Sequence, residues 1–207
     1  MATKRAVIIA GGWMSDFSYI KQFLHPQDTI ITADSGYLYA KQLGLSPHIA
    51  LGDFDSLGFV PEDVPVYQVS TQKDLTDTEL ALQWARSQGY EDFLFLAVLG
   101  SRMDHSLSNI FLLNSLLKQG ESGQIINEHN QIWLTDSSLT LPIAPGSTVS
   151  LIPLSTCHGV TSSGLLYPLF NSTLAFDESL GVSNVSTENP VSVSLREGKL
   201  LVIVAKD

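Results

Sequence analysis

The amino-acid sequence predicts an α/β first half built on a mostly parallel sheet, followed by an all-β second half. Two observations carry that expectation. Up to Gly120, apolar strand-like runs alternate with helix-like stretches, the order of elements that parallel sheets require. From Gly123 onward the period changes to short β-rich runs punctuated by Pro and Gly, as in an antiparallel sandwich or barrel. A chain of 207 residues is long enough for one large domain or two small ones, and the change of period divides it into 1–123 and 124–207.

Taken in order, Ala6-Ala10, Thr29-Ala33, Ile49-Leu51, Val66-Val69 and Phe93-Leu99 read as strands, each an apolar run with β-branched or aromatic residues. Helices are expected over Phe17-Leu24, Tyr37-Leu43, Leu75-Ser87 and Ser106-Lys118. In the last of these, Leu107, Ile110, Phe111, Leu113 and Leu117 recur at helical spacing, and Gly120 is a natural stop. Asn127-Glu128-His129-Asn130 reads as a connecting turn. The second half supplies strand-like runs at Gln131-Leu134, Thr148-Pro153, Ser172-Phe176, Val191-Leu195 and Leu200-Ala205.

Composition removes several functions. The balance of 11 basic against 21 acidic residues, net −10, opposes a large nucleic-acid footprint, which needs clustered Lys and Arg. Cys157 is the single cysteine, so neither an intrachain disulfide nor a cysteine-based zinc cluster can form, which fits a reducing compartment. The apolar run Ala6-Ala10 is too short for a signal peptide or a membrane span, so a cytoplasmic protein without membrane attachment is expected.

In an open parallel sheet ligands bind beyond the carboxyl ends of the strands, so the residues immediately after each strand matter most. They are Gly11-Gly12, then Asp34-Ser35-Gly36, Gly52-Asp53-Phe54-Asp55-Ser56, Lys73-Asp74-Leu75-Thr76-Asp77, and Gly100-Ser101-Arg102-Met103-Asp104-His105. Each has a plain structural alternative. Gly11-Gly12 also suits a tight strand-to-helix turn, and no P-loop Lys comes after it. Asp34 can cap the helix near Tyr37, with Gly36 supplying an unusual backbone angle. Thr76 and Glu79 have capping-box spacing, and Asp74 and Asp77, three apart, would share a helix face. Asp104 can serve as an N-cap, while Arg102 offers a fork for phosphate at a helix start and His105 and Asn109 stand four apart. His129 and His158 lack comparable neighbours and read as surface or structural residues.

Together Asp34, Asp53, Asp55 and Asp77 form an all-oxygen rim suited to Mg²⁺, which binds one or two carboxylates plus substrate phosphates and water. Lys73 and Arg102 add positive charge for a nucleotide polyphosphate, and phosphoryl transfer asks chiefly for such positioning and neutralisation. Two other readings stay open: an aspartyl-phosphate phosphatase using Asp53 and Asp55, and a non-catalytic nucleotide or vitamin sensor.

These motifs, in this order and spacing, resemble the thiamine pyrophosphokinase (thiamine diphosphokinase) family. The resemblance runs through Ala33-Asp34-Ser35-Gly36, Pro47, Gly52-Asp53-Phe54-Asp55-Ser56, Lys73-Asp74-Leu75-Thr76-Asp77, Gly100-Ser101-Arg102-Met103-Asp104-His105 with Asn109, Gly164-Leu165-Leu166-Tyr167-Pro168-Leu169 and Ser183-Asn184. It implies a Rossmann-like nucleotide-binding catalytic domain followed by a β-sandwich that binds thiamine. The implied reaction is Mg²⁺-dependent transfer of diphosphate from ATP to the thiamine hydroxyl, leaving AMP, in a homodimer with the active site at the subunit interface. Carried over by position, Asp34, Asp53, Asp55 and Asp77 are the implied metal and diphosphate carboxylates. Lys73 and Asp74 would contact polyphosphate or the substrate hydroxyl, and Arg102, Asp104 and His105 the nucleotide. Ser183 and Asn184, with Tyr167 beside them, match the thiamine pocket. Ser35 and Ser101 stand where the family often has glycine, and a positive φ at either would be costly.

Overall fold

The computed structural model describes residues 4–69 and 74–206, which divide into two compact units between Glu128 and His129. The first unit comprises, in chain order, β1 (Arg5–Ile9), α1 (Phe17–Lys21), β2 (Thr29–Ala33), α2 (Gly36–Leu43), β3 (Ile49–Gly52), β4 (Val66–Gln68), α3 (Asp77–Ser87), β5 (Asp92–Leu96), α4 (Met103–Gln119) and β6 (Ser122–Ile126). All its strand pairings are parallel, in the order β6-β5-β1-β2-β3-β4. The run β1-β2-β3-β4 extends outward in one direction and β5-β6 in the other, so the order reverses between β1 and β5. That is the position at which the carboxyl edge of a parallel sheet opens a crevice.

The strands form where the sequence is apolar without interruption, because both faces are covered: four of the five residues in each of β1, β2 and β5 are buried. Val7, Ile9, Leu94 and Leu96 share one core cluster with Ile20 of α1 and Ala40 and Leu43 of α2. At the amino edge, Arg5 binds Asp28 through Nε and Nη2, at 2.9 and 2.7 Å, and donates to the Phe23 carbonyl. Both side chains are nearly buried.

The helix expected over Ser106-Lys118 forms as α4 with Gly120 as its stop but packs through another face, and the expectation for Gly36 is corrected. Leu107 and Phe111 are exposed, and α4 instead buries Ser106, Asn109, Leu112, Leu113 and Leu116. Both sets obey the same period; the buried one carries two polar residues that bond to the loop before the helix, which disguises it as a solvent face. Gly36 does not take a left-handed angle. It opens α2 close against β1, where a Cβ would stand 2.0 Å from the Ile9 carbonyl oxygen.

The second unit comprises β7 (Asn130–Thr135), β8 (Ser138–Leu141), β9 (Thr148–Pro153), β10 (Cys157–Ser163), β11 (Ser172–Leu174), β12 (Asn184–Val185), β13 (Val191–Ser194) and β14 (Leu200–Ala205). They pair antiparallel in the orders β12-β9-β14-β7 and β11-β10-β13-β8. Val149, Leu151, Leu200 and Val202 from the first set share one core cluster with Val160, Leu174, Val191 and Val193 from the second. Alternate residues of β9 are buried, the period-two pattern of a strand with one face covered.

The Arg5–Asp28 pair generates a stability prediction. Arg5→Met removes two hydrogen bonds and the charge partner of the buried Asp28 carboxylate, leaving the bond from the His25 amide, a change of about 3 kcal/mol, or roughly 10 °C in the melting midpoint. The pair lies at the amino edge, away from the carboxyl ends of the strands, so the geometry of the carboxyl edge is expected to stay unchanged. A melting curve that does not move would refute the energetic role.

Candidate active site

Polar residues follow β2, β3 and β5 at the carboxyl edge, and the backbone there is unusual. Asp34, Phe54 and Ala97 have φ of 49°, 61° and 52°. That conformation is costly for non-glycine residues, and such strain concentrates at functional sites. Phe54 shows the local reason. Its side chain is buried with Tyr37, Ala50 and Val64, so the residue between the two aspartates is anchored inward while Asp53 and Asp55 stay on the surface side.

This arrangement brings three of the expected carboxylates together. Asp34, Asp53 and Asp55 each present an oxygen, and the three lie within 4.8 Å of one another. Asp34 Oδ2 accepts a hydrogen bond from Ser56, whereas its Oδ1 is buried with no hydrogen-bond partner. Asp53 Oδ1 accepts from the Asp55 amide at 3.3 Å. A buried carboxylate oxygen without a partner is costly unless a cation meets it. Asp34, Asp53 and Asp55 therefore fit a hard divalent cation such as Mg²⁺, an all-oxygen set with an orphaned buried donor atom among them. Asp34 is not the cap of α2; Ser35 occupies that position, at φ −62°, so serine carries no conformational penalty there.

Asp77 stands outside the three-carboxylate group but beside it. Its Oδ1 lies 3.1 Å from where a Cβ on Gly52 would be, and Gly52 has φ 146°, so the position accepts only glycine without strain. Thr76 caps α3 by accepting from the Glu79 amide at 3.2 Å. Because the helix starts at Asp77, Asp74 precedes its cap and shares no helix face with it; Asp74 is exposed. Lys73 lies outside the described residues. Behind the acidic loop, Tyr37 donates to Asp63 at 2.6 Å and Lys41 to the other Asp63 oxygen at 2.6 Å, tying the segment after β3 to α2. That contact pushes the Tyr37 phenol up and holds the Asp63 carboxyl down.

The reversal between β1 and β5 forms a separate part of the same edge. The Gly12 amide donates to the Ala97 carbonyl at 2.6 Å and the Trp13 amide to that of Leu99 at 2.7 Å, so the two loops are knitted together. Gly12 permits this, since a Cβ would fall 2.4 Å from the Leu99 oxygen. The result is a cleft of about 230 Å³ whose lining includes Gly11, Gly12, Trp13, Gly100, Arg102 and His105. Arg102 occupies the cap position of α4, and its guanidinium binds Asp104 at 2.6 Å through Nη2. The bond to Arg102 draws the Asp104 carboxyl down to about 2. Asp104 is thus the second residue of α4 and not its cap.

Two polar residues hold this loop: Ser106, to which the sequence assigned no role, and Asn109, which it paired with His105 at the helix start. Ser106 Oγ accepts from the Gly100 amide at 3.0 Å, and buried Asn109 donates to the Val98 carbonyl at 2.7 Å. Asn109 therefore turns into the fold to support the loop. A polar residue at helical spacing with leucines was the available signal.

In the second unit Asn184 is buried and its amide is committed. Oδ1 accepts from the Tyr167 amide at 3.1 Å, and Nδ2 donates to the Tyr167 carbonyl at 2.7 Å. This clamp presents the Tyr167 ring, 67% exposed, to solvent. Ser183 adjoins it at φ 57°, exposed, its amide donating to Ser150 Oγ at 3.0 Å. Asn184 thus positions Tyr167 through its backbone, while Ser183 leaves its hydroxyl on the surface.

Comparison with known proteins gives the same division. Residues 20–125 match the model of the thiamin pyrophosphokinase catalytic domain, and residues 137–200 that of the thiamin pyrophosphokinase vitamin B1 binding domain. The thiamine pyrophosphokinase of Bacillus subtilis is 28% identical, over 97% of this chain and 98% of the relative. The crystal structure of the Bacillus subtilis protein superposes with a TM-score of 0.87 at 27% identity, covering 99% of this chain and 100% of that one. A thiamin pyrophosphokinase from Geobacillus thermodenitrificans gives 0.84 at 27% identity, with 98% of each chain covered. On the strength of both domain matches and the full-length likeness, this chain belongs to the thiamin pyrophosphokinase family of enzymes.

Proposed function

We propose that this chain catalyses Mg²⁺-dependent transfer of the terminal diphosphate of ATP to the hydroxyl of thiamine, producing thiamine diphosphate and AMP. The observation that carries the reading is the three-carboxylate group at the ends of β2 and β3, with its unpartnered Asp34 oxygen, in a chain whose two halves match the catalytic and vitamin-binding domains. Asp34, Asp53 and Asp55 would hold the cation, with Asp77 alongside. When bound, the cation would neutralise phosphate charge and align the polyphosphate. In the transfer, the thiamine hydroxyl oxygen bonds to the β-phosphorus, and the bond from that phosphorus to the oxygen bridging it to the α-phosphate breaks. AMP departs with the electron pair, and an aspartate of this edge accepts the hydroxyl proton. The catalytic residues in this reading are Asp53, Asp55, Asp74 and Asp77; Lys73, which lies outside the described residues, would contact the polyphosphate. Arg102 and His105 line the cleft that takes the nucleotide, and Asp104 keeps Arg102 oriented.

The first unit reads as a Rossmann-like nucleotide domain and the second as a β-sandwich that takes thiamine near Tyr167, Ser183 and Asn184. We read the enzyme as a cytoplasmic homodimer with its active site at the subunit interface. Exposed Tyr167, Phe170, Phe176 and Leu180 support self-association. Among the described residues no helix is long and apolar enough to cross a membrane.

Incubation with ATP, Mg²⁺ and thiamine is expected to yield AMP and thiamine diphosphate in equal amounts; phosphate release from monoesters instead would favour an aspartyl-phosphate phosphatase. Asp55→Ala should abolish turnover, by roughly a thousandfold or more, as expected when a main electrostatic contributor is lost. Its circular dichroism should match the parent, because Asp55 is exposed, and its melting midpoint should be no lower, because one of three mutually repelling carboxylates is gone. Wild-type activity in that variant would sink the assignment.

A second prediction concerns pH. The Asp104 carboxyl is lowered to about 2 in the folded chain by Arg102. Its contribution is therefore complete above the ordinary carboxylate range and is lost only as pH falls through the folded value. An NMR titration should place the Asp104 midpoint near 2 in the parent chain and return it to about 4 in Arg102→Met, the value of an unperturbed aspartate. Coincident midpoints in the two proteins would show that the pair does not form.

A further inference from the structure

We propose that Trp13 is the stacking surface for the base of the nucleotide, a specificity-determining contact that rests on the reading of the β1–β5 cleft as the nucleotide site. The indole is 68% exposed. A tryptophan left in water forgoes one of the largest hydrophobic gains available to a side chain, so an exposed one that lines a cleft is placed for a ligand. Among the described residues its ring pairs with no other aromatic ring.

Three features of the cleft specify the ligand as a flat ring joined to an anion. The backbone that carries Trp13 is fixed, since Gly12 and Trp13 donate to the Ala97 and Leu99 carbonyls at 2.6 and 2.7 Å, and Tyr39 donates its hydroxyl hydrogen to the Gly12 carbonyl at 2.9 Å. A preorganised aromatic loses little freedom on binding. Gly11, Gly12 and Gly100 line the cleft with backbone alone, their Cβ directions being taken up by Ser35, the Leu99 carbonyl and the Gly12 backbone, so Trp13 is the large flat side chain of the lining. Arg102 and His105 lie on the same lining; Asp104 holds the guanidinium through Nε and Nη2, which leaves Nη1 as the donor for a phosphate oxygen of the metal complex. A nucleoside polyphosphate has both halves of that pattern. Stacking of this kind tolerates any base, because every base has a π-face. Trp13 accordingly adds affinity for nucleotides over free polyphosphate more than it separates one purine from another.

The test compares ATP with inorganic tripolyphosphate, each with Mg²⁺, by calorimetry on the full chain and on Trp13→Ala and Trp13→Phe. Trp13→Ala is expected to weaken ATP by roughly 5- to 100-fold, the range of base stacking on aromatic side chains, and to leave tripolyphosphate unchanged. Trp13→Phe should restore ATP binding to within a few-fold. In steady state the KM for ATP rises in Trp13→Ala while kcat and the KM for thiamine hold. As a measurement that needs no truncation, ATP and not tripolyphosphate should quench tryptophan emission of the unchanged chain, and the quench should disappear in Trp13→Phe. Equal losses for both ligands, no loss for either, or an ATP quench that survives Trp13→Phe would overturn the stacking role alone. Failure of the unchanged chain to bind ATP at all would overturn the nucleotide reading together with it.

Discussion

The arrangement on which the site depends is the forced proximity of like charges. Two carboxylates about 4 Å apart repel by about 4 kcal/mol at an effective dielectric near 20, and here three offer oxygens within 4.8 Å. A chain left to itself would splay them. Two features prevent that. The Phe54 side chain is pinned in the core between Asp53 and Asp55, and Asp34 sits at a left-handed angle with its amide bonded to the Leu51 carbonyl at 2.8 Å. Core burial thus provides the energy that holds the acidic group together. The tie from Tyr37 and Lys41 to Asp63 closes the same segment from behind.

The parallel sheet divides labour between its edges. At the amino edge the polar groups are satisfied among themselves, as in the bidentate Arg5–Asp28 pair and the Thr29–Tyr90 hydroxyl contact at 2.7 Å. At the carboxyl edge they are not: Asp34 keeps an unpartnered oxygen, three non-glycine residues hold positive φ, and an indole stands in solvent. Satisfied polar groups gather at one end and unsatisfied ones at the other, the end at which the proposed chemistry would take place, which is the usual consequence of βα loops being free to vary over a fixed scaffold. The glycines of the edge serve closeness more than flexibility, for Gly12 and Gly36 each leave no room for a single carbon.

Much of the fold is legible in the sequence because burial on both faces writes parallel strands as unbroken apolar runs. Thr29–Ala33 is legible to the residue for that reason, and the apolar runs Thr148–Pro153 and Leu200–Ala205 match their strands as closely. Strands rich in Ser, Thr and Gly are not: Ser138–Leu141, Cys157–Ser163 and Asn184–Val185 carry too little apolar signal, and Ser122–Ile126 is hidden by the turn after α4. The aspartates stand out because topology alone singles out the residues at the carboxyl end of each strand. Topology does not reveal the work of Ser106 and Asn109, whose partners are backbone carbonyl and amide groups of a loop with no sequence signature. Nor does it show that Asn184 commits its amide to the Tyr167 backbone, since a side chain aimed inward and one aimed at a ligand read alike.

The charge of the chain constrains the form in which its ligand can bind. A protein with a net charge of −10, presenting its most concentrated acidity at the sheet edge, repels a free polyphosphate. The same edge carries Arg102, but that guanidinium is already engaged by Asp104. An engaged, exposed guanidinium does not offset three gathered carboxylates, so in the proposed function the polyanion would bind there as a metal complex, which reverses the sign of the local field. The acidic group and the anionic substrate are then not in conflict. In the proposed function the carboxylates would select the metal-bound form of the nucleotide over the free one, and the unpartnered Asp34 oxygen is what the folded chain leaves available for that purpose.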